Sequence, residues 1–283
     1  MTRILTDVPM SLMTTFKIGG AAKKIYVPQN AQDAVQLARE LDTFRVLGNG
    51  SNILACDEGI AEPIIHIGRE MSAVRADGET IDAQAGATLA QIAHSALSAG
   101  LCGLEFAAGI PGTAGGGVIM NAGAYGGEMR DVVQEVTFVD EKAQVVTYSA
   151  KQMRFEYRKS ALSDRRCTVV GVKFCLKRAD REQIREKMNS LAAARREKQP
   201  LEYPSAGSAF KRPEGHFAAE LIDRCGLKGF SVGGACVSEK HAGFVINKGG
   251  ATAGDVKELL ARVEKIVFEK TGVVLQREVK IWD

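Results

Sequence analysis

The segment from Gly109 to Gly127 reads GIPGTAGGGVIMNAGAYGG and contains eight glycines among nineteen residues. A glycine in regular structure costs about 0.5–1 kcal/mol relative to alanine, because it loses more conformational freedom on folding. So long a run needs a compensating role. We interpret it as a surface on which a flat or phosphorylated ligand lies directly against the backbone. A tightly packed turn is the structural alternative.

A second glycine-containing loop, LGNGSN, covers Leu47 to Asn52 and follows a predicted strand. Consecutive backbone N–H groups in such a loop suit a pyrophosphate. Ile53 stands where a dinucleotide fingerprint would place its third glycine, so a nicotinamide site in a doubly wound sheet is not supported. Alone, such a loop is more often an ordinary turn than a phosphate-binding site.

Two polar segments about fifty residues apart resemble halves of one active site, namely YRKS at Tyr157–Ser160 and SAGSAFKRP at Ser205–Pro213. An unpaired buried cation costs on the order of several kcal/mol. The grouping of Arg158, Lys211 and Arg212 therefore predicts an anionic substrate.

Composition restricts the class of protein. The chain has 283 residues, 45% hydrophobic and 25% charged, with a formal net charge of +3. This length predicts two or three lobes, and the small net charge gives no support for nucleic-acid binding.

The sequence lacks a membrane-length apolar run and an N-terminal signal pattern, so we expect a cytoplasmic protein. Six cysteines without a Cys-x-x-Cys pair and four scattered histidines predict reduced thiols and no metal site.

Hydrophobic periodicity predicts a mixture of helices and strands, beginning with a β-α-β unit. The predicted helices cover 31–41, 88–99, 180–198, 217–225 and 255–270. The predicted strands cover 44–47, 64–67, 81–86, 132–139, 145–148, 167–176, 243–247 and 273–282.

In their order, these segments resemble the UDP-N-acetylenolpyruvoylglucosamine reductase family, flavoenzymes of bacterial peptidoglycan precursor synthesis. The resemblance extends over nearly the whole chain, and its combination of motifs is far more specific than any one of them. The matching stretches are 14–20, 47–52, 109–127, 157–160, 205–213, 226–229, 233–242 and 275–279.

The resemblance implies an α+β architecture. Its expected parts are the FAD-binding fold of the vanillyl-alcohol-oxidase type, with two FAD-binding subdomains, and an α+β substrate-binding domain. We expect residues 1–70 and 272–283 to form the first subdomain, 71–198 the second with a connector helix, and 199–271 the substrate domain. The short stretch between Arg158 and Ser208 resembles the shorter type of the family, which lacks an extra tyrosine-bearing loop.

The resemblance also implies the reaction: NADPH reduces UDP-N-acetylglucosamine enolpyruvate to UDP-N-acetylmuramate through FAD. Arg158 would stabilise the enolate, although an arginine here is equally compatible with a surface ion pair. Ser208 would donate the proton. Glu278 would help to stabilise the enolate; to act as a donor it would need a raised pKa, whereas a solvated glutamate on a strand is the plain alternative.

The family pattern assigns further residues to ligands. Substrate contacts are expected from Tyr157, Lys211 and Arg212. The FAD contacts are expected from Leu47, Gly48, Asn49, Gly50, Ser51, Asn52, Gly109, Ile110, Pro111, Gly112, Gly115, Gly116, Asn121, Ala122 and Gly123.

Two other functions stay open at the level of sequence. One is a different FAD-dependent oxidoreductase of the same fold, acting on a sugar or an alcohol, which would not need Ser208 as a proton donor. The other is a nucleotide-sugar binding module without flavin. The resemblance favours a monomer that binds neither nucleic acid nor membrane.

Overall fold

The computed structural model describes residues 2–283, which divide into two compact units. The first unit covers the chain up to Thr6, Lys24–Asn49 and Glu62–Arg195. The second covers Asp7–Lys23, Gly50–Ala61 and Arg196–Asp283. The three-domain division inferred from the family resemblance stays a prediction.

Seven α-helices occur in residues 2–283, together with short 3-10 segments and nineteen strands. The helices are α1 (Ala31–Glu40), α2 (Leu89–Ala99), α3 (Ala114–Ile119), α4 (Ala150–Met153), α5 (Arg181–Lys198), α6 (Ala218–Arg224) and α7 (Ala253–Thr271). The strands are β1 (Arg3–Pro9), β2 (Ala21–Val27), β3 (Arg45–Leu47), β4 (Ile53–Ala55), β5 (Ile64–His66), β6 (Val74–Asp77), β7 (Thr80–Gln84), β8 (Leu101–Cys102), β9 (Gly123–Ala124), β10 (Gly127–Glu128), β11 (Val133–Val139), β12 (Val145–Ser149), β13 (Thr168–Cys175), β14 (Lys177–Arg178), β15 (Ser205–Ser208), β16 (Ser231–Val232), β17 (Ala235–Val237), β18 (Phe244–Asn247) and β19 (Lys280–Trp282).

Two sheets organise the first unit. One has the strand order β1-β2-β5-β3, in which β5 pairs in parallel with both β2 and β3. The other has the order β12-β11-β13-β7-β6 and is antiparallel throughout. Their apolar side chains join one core that includes Ile65, Ile81, Phe138 and Phe174.

The second unit is built on an antiparallel sheet with the order β15-β18-β17-β16. The long helix α7 contributes Leu259, Leu260 and Val263 to a separate core, all of them fully buried. The short strand β19 pairs in parallel with β4 of the same unit.

Local sequence signals explain where several helices begin and end. The side chain of Thr88 accepts a hydrogen bond from the N–H of Gln91, and Gly100 ends α2 with a left-handed φ of 68°. A reciprocal capping box joins Thr252 to Asp255 at the start of α7. The helix therefore begins at Ala253, two residues before the predicted start.

Two predicted segments differ from the structure. Of the predicted strand 273–282, only Lys280–Trp282 forms a β-strand. The neighbouring strand β15 ends at Ser208. Residues before Lys280 therefore pair with that segment only through one isolated bridge, between Arg277 and Phe210. The glycine-rich segment, expected to be a loop, contains helix α3.

None of the helices in residues 2–283 is both long and apolar enough to cross a membrane.

Candidate active site

The first unit brings its two glycine-containing loops together. The side-chain amide of Asn49 donates a hydrogen bond to the carbonyl of Pro111 at 2.7 Å. A Cβ at Gly48 would lie 2.6 Å from the hydroxyl of Thr113, so any larger residue would have to displace that side chain. Within residues 2–283, the backbone N–H groups of Gly48 and Asn49 have no hydrogen-bond acceptor. They are available to an anionic ligand, and the binding of pyrophosphate by this loop stays a prediction.

His66 lies beside the same loop and is half-buried. Burial lowers the pKa of its imidazole, while the charge of Glu70 and a hydrogen bond with the backbone of Gly48 act in the opposite direction. A neutral imidazole therefore borders this loop at neutral pH.

The glycines of α3 serve two different purposes. A Cβ at Gly115 would approach Ala85 to 3.2 Å, and one at Gly117 would approach Leu89 to 3.3 Å. The tight-packing alternative thus accounts for these two positions. Gly116 is exposed, and a Cβ there would meet only the Thr113 hydroxyl at 3.6 Å. Its N–H donates to the hydroxyl of Thr113 and its carbonyl accepts from the N–H of Met120, so what it offers a ligand is exposed backbone surface.

Asn121 is fully buried and serves as a structural hub. Its side-chain amide donates to Glu128 at 2.8 Å and to the carbonyl of Glu156 at 2.9 Å, while its oxygen accepts from the N–H of Arg130 at 3.0 Å. These bonds occupy both amide hydrogens. The side chain therefore holds protein segments together, which sequence reasoning did not foresee.

Arg158 lies at the end of this glycine-rich region. It has a left-handed φ of 56°, and its guanidinium donates to the carbonyl of Gly123 at 3.3 Å. The guanidinium also stacks over the ring of Tyr157, 5.2 Å from the centroid. The ring and the carbonyl together orient a half-buried cation in the first unit.

The second unit positions the remaining part of the LGNGSN loop. The N–H of Thr15 donates to the carbonyl of Gly50, and its hydroxyl donates to the carbonyl of Ser205 at 2.7 Å. The amide of Asn52 donates to the carbonyl of Glu278 at 3.1 Å. Thr15, like Thr113, organises a loop although the sequence analysis gave it no role. Each threonine lies within or next to a glycine-containing motif, and this position could have indicated its role from the sequence.

Ser208 and Glu278 are 70 residues apart in sequence, yet their segments lie side by side. The N–H of Glu278 donates to the carbonyl of Ala209 at 2.8 Å, and the N–H of Lys211 donates to the carbonyl of Gln276 at 2.8 Å. Both side chains are half-buried. Gly207, immediately before Ser208, has a left-handed φ of 76°, a conformation that favours glycine.

A surface cavity of about 450 Å³ adjoins these segments in the second unit. Its cationic side chains are Lys211 and Arg212, and the guanidinium of Arg212 lies 4.5 Å from the centroid of the Phe217 ring. The other lining residues are Pro213, Glu214, His216, Val273, Val274 and Gln276. Positive charge beside an apolar wall suits a charged group attached to a flat ring.

Comparison with known proteins first defines the class. Residues 26–149 match the family model described as "FAD binding domain". The protein is an FAD-dependent oxidoreductase with an α+β fold, as expected from the sequence.

Residues 199–282 match the model described as "UDP-N-acetylenolpyruvoylglucosamine reductase, C-terminal domain". The reductase of Caldicellulosiruptor bescii is 46% identical, with 98% of this chain and 90% of the relative covered. That of Caldanaerobacter subterraneus is also 46% identical, with coverages of 99% and 93%. The crystal structure of the reductase from Thermus caldophilus covers both chains completely, with a TM-score of 0.89 and 37% identity. The chain therefore belongs to the UDP-N-acetylenolpyruvoylglucosamine reductase family, which confirms the resemblance seen in the sequence.

The residues of the first unit fit FAD. Exposed backbone at Gly109 and Gly116, together with the available N–H groups of Gly48 and Asn49, gives a flat surface with donors for phosphate oxygens. The glycine segment lies entirely within the matched FAD-binding region.

Proposed function

We propose that Arg158, Ser208 and Glu278 carry out the chemistry by which this enzyme reduces UDP-N-acetylenolpyruvoylglucosamine. When bound, FAD accepts electrons from NADPH and supplies the hydride that adds to the methylene carbon of the enolpyruvyl ether. The observation that best supports the residue roles is the pairing of the Ser208 and Glu278 segments described above.

Arg158 is the residue suited to the substrate carboxylate. Hydride addition leaves negative charge on the neighbouring carbon and its carboxylate, and a guanidinium binds such a group through two parallel hydrogen bonds while staying charged. Its stacking on Tyr157 and its bond to Gly123 reduce the number of orientations that the guanidinium can adopt. Tyr157, 48% exposed, offers a further substrate contact.

Ser208 is the proposed proton donor to the enolate carbon. A hydroxyl is a weak acid, but an enolate carbon is basic enough to accept its proton when the donor is fixed within hydrogen-bond reach. Glu278 is proposed to stabilise the enolate from the adjacent segment. Its backbone is tied on both sides, through Ala209 and Asn52, which fixes where its side chain starts.

The remaining assignments concern binding. Lys211 and Arg212, in the 450 Å³ cavity, are proposed to bind the diphosphate of the substrate. FAD is proposed to contact the loop from Leu47 to Asn52 and the exposed parts of Gly109 to Gly123. Asn121 and Gly115, which the family pattern assigns to FAD, are buried, and the Asn121 side chain and the Gly115 N–H already bond within the protein, so we propose that they support this surface from behind.

The proposal places the enzyme in the cytoplasm, as a monomer that does not bind nucleic acid. All six cysteines are free thiols, which agrees with a reducing compartment. Fractionation of cells and size-exclusion chromatography at working concentration test these two points.

The Ser208→Ala variant tests the proposed chemistry. NADPH should still reduce its flavin at a rate within about twofold of the wild type, whereas re-oxidation by the enolpyruvyl substrate should slow by about 10²–10⁴-fold, the range for a lost general acid. The matched control is Ser205→Ala, three residues earlier on the same strand, whose carbonyl alone bonds to Thr15. Unchanged re-oxidation in Ser208→Ala would remove Ser208 from the mechanism.

A further inference from the structure

Arg195 lies in the last turn of α5, on the face of the helix that turns inward. It follows the buried Met188 by seven residues and the buried Ile184 by eleven, which places all three on one side of the helix. The predicted role of this helix was that of a connector. The seven-residue and eleven-residue spacing from these buried residues distinguishes Arg195 from the exposed arginines on the same helix.

The guanidinium of Arg195 packs directly on the glycine-rich segment. A Cβ built at Gly109 would lie 3.0 Å from Nη1 and 3.1 Å from Cδ of Arg195. The φ of Gly109 is outside the left-handed region, so backbone conformation does not require glycine there. The lack of a side chain is what lets the guanidinium reach the backbone of a residue that is itself exposed.

This cation has no carboxylate to balance it within residues 2–283. No ion pair or side-chain hydrogen bond joins Arg195 to a described residue. The ionisable group with which its guanidinium interacts electrostatically is the hydroxyl of Tyr125. Burial lowers the pKa of the guanidinium. Most other arginines that are half-buried here have a carboxylate partner, such as Arg277 with Glu264 at 2.6 Å. A half-buried charge without a partner is costly unless a ligand supplies the anion.

We infer that Arg195 is an anion-binding residue of the nucleotide site, with its guanidinium contacting a phosphate group that lies over Gly109. The phosphate is assigned to FAD, because Gly109 and Tyr125 both lie within the matched FAD-binding region. The diphosphate of the UDP substrate has the same chemistry and is the second source to be distinguished. The inference rests on the proposed role of the glycine-rich segment in binding FAD.

A purely structural role is the competing explanation. A cation in the last turn of a helix interacts favourably with the helix dipole, whatever ligand is bound. Arg196 is adjacent on the same turn and exposed, so it shares this interaction and lacks the contact with Gly109. It is therefore the matched control.

The experiment compares Arg195→Met with Arg196→Met. Methionine keeps the apolar stem and removes the charge. FAD and ADP are titrated into the flavin-free proteins, UDP is titrated into the FAD-loaded proteins, and the thermal unfolding of each flavin-free protein is recorded.

We expect Arg195→Met to weaken the binding of FAD and of ADP about tenfold to a hundredfold, as for loss of a charge-assisted hydrogen bond. UDP affinity should stay unchanged, and the unfolding temperature of the flavin-free protein should not fall, because the variant removes a charge that has no anionic partner when the flavin is absent. Arg195→Lys should recover part of the loss, and Arg196→Met should match the wild type.

Each other outcome has a defined meaning. Weaker UDP binding with unchanged FAD and ADP would keep Arg195 as a phosphate ligand and move it to the substrate. Unchanged affinities for all three ligands, or equal losses in Arg196→Met, would overturn the inference. A flavin-free Arg195→Met protein that melts early and binds FAD normally would assign the residue a structural role. None of these results affects the test of Ser208, whose readout is re-oxidation of the bound flavin.

Discussion

Asn121 shows how a single side chain can hold the glycine-rich region in place. Its buried amide connects Glu128, Glu156 and Arg130, and it adopts a left-handed φ of 42° that asparagine tolerates better than most residues. Its role is therefore structural before any ligand binds.

Replacing Asn121 with alanine should destabilise the flavin-free protein by about 1–3 kcal/mol, because three hydrogen bonds made by a fully buried side chain would be lost. The melting temperature of the flavin-free protein should fall by several degrees. Asn189→Ala, at an exposed position on α5, is the control and should melt like the wild type. An unchanged melting temperature together with weaker FAD binding would show instead that Asn121 acts as a cofactor ligand.

Sequence reasoning works unevenly at the residue scale. Motifs pointed to Ser208 and Glu278, and the structure pairs their segments. The bonds of Asn121 were invisible because its partner Glu156 is 35 residues away, and a hydrogen-bond network between distant segments leaves no local pattern.

At the scale of elements, the turn before β18 depends on a neutral histidine. The N–H of Gly243 donates to Nδ1 of His241 at 3.2 Å, and the imidazole packs edge-on against Phe244. Burial, with a smaller effect from the charge of Lys228, lowers the pKa of His241, while a hydrogen bond with its own backbone opposes this.

The lowered pKa has a definite consequence for stability. The unfolded chain binds a proton near the ordinary pKa of 6.5, whereas the folded protein resists it. The stabilising contribution of neutral His241 is therefore complete above about pH 7 and is lost as the pH falls below 6.5. We expect the melting temperature of His241→Gln to fall less steeply between pH 7 and pH 5 than that of the wild type. His216→Gln, at an exposed histidine, should keep the wild-type slope; equal slopes for wild type and His241→Gln would contradict the assignment.

Elements with strong local signals were predictable. Helices α2 and α7 carry threonine N-caps and end at glycine, so their existence followed from sequence, and their observed ends lie within two residues of the predicted ones. Helix α3 was missed because its glycines have poor helix propensity; close packing of Gly115 on Ala85 and Gly117 on Leu89 overrides that preference. The strand expected at 273–282 failed because β-branched residues indicate extended chain without showing whether a neighbouring strand is long enough to pair with it.

At the scale of the whole molecule, the order of the motifs carried more information than any single motif. It identified the family and its FAD cofactor, which the matches at 26–149 and 199–282 confirm. The division of the described residues into two units with interleaved segments was not predictable, because local periodicity does not report which distant segments share a core. Each unit has its own buried cluster, and each contains part of the proposed chemistry.

This protein passes electrons from NADPH through FAD to an enolpyruvyl ether. The most direct test mixes the FAD-loaded protein with one equivalent of NADPH without oxygen, and then adds UDP-N-acetylglucosamine enolpyruvate while the flavin absorbance is followed. We predict that NADPH bleaches the flavin, that the enolpyruvyl substrate restores its colour in a single turnover, and that UDP-N-acetylmuramate is formed in equal amount. A flavin that stays reduced after the substrate is added, or that NADPH fails to reduce, would contradict the account.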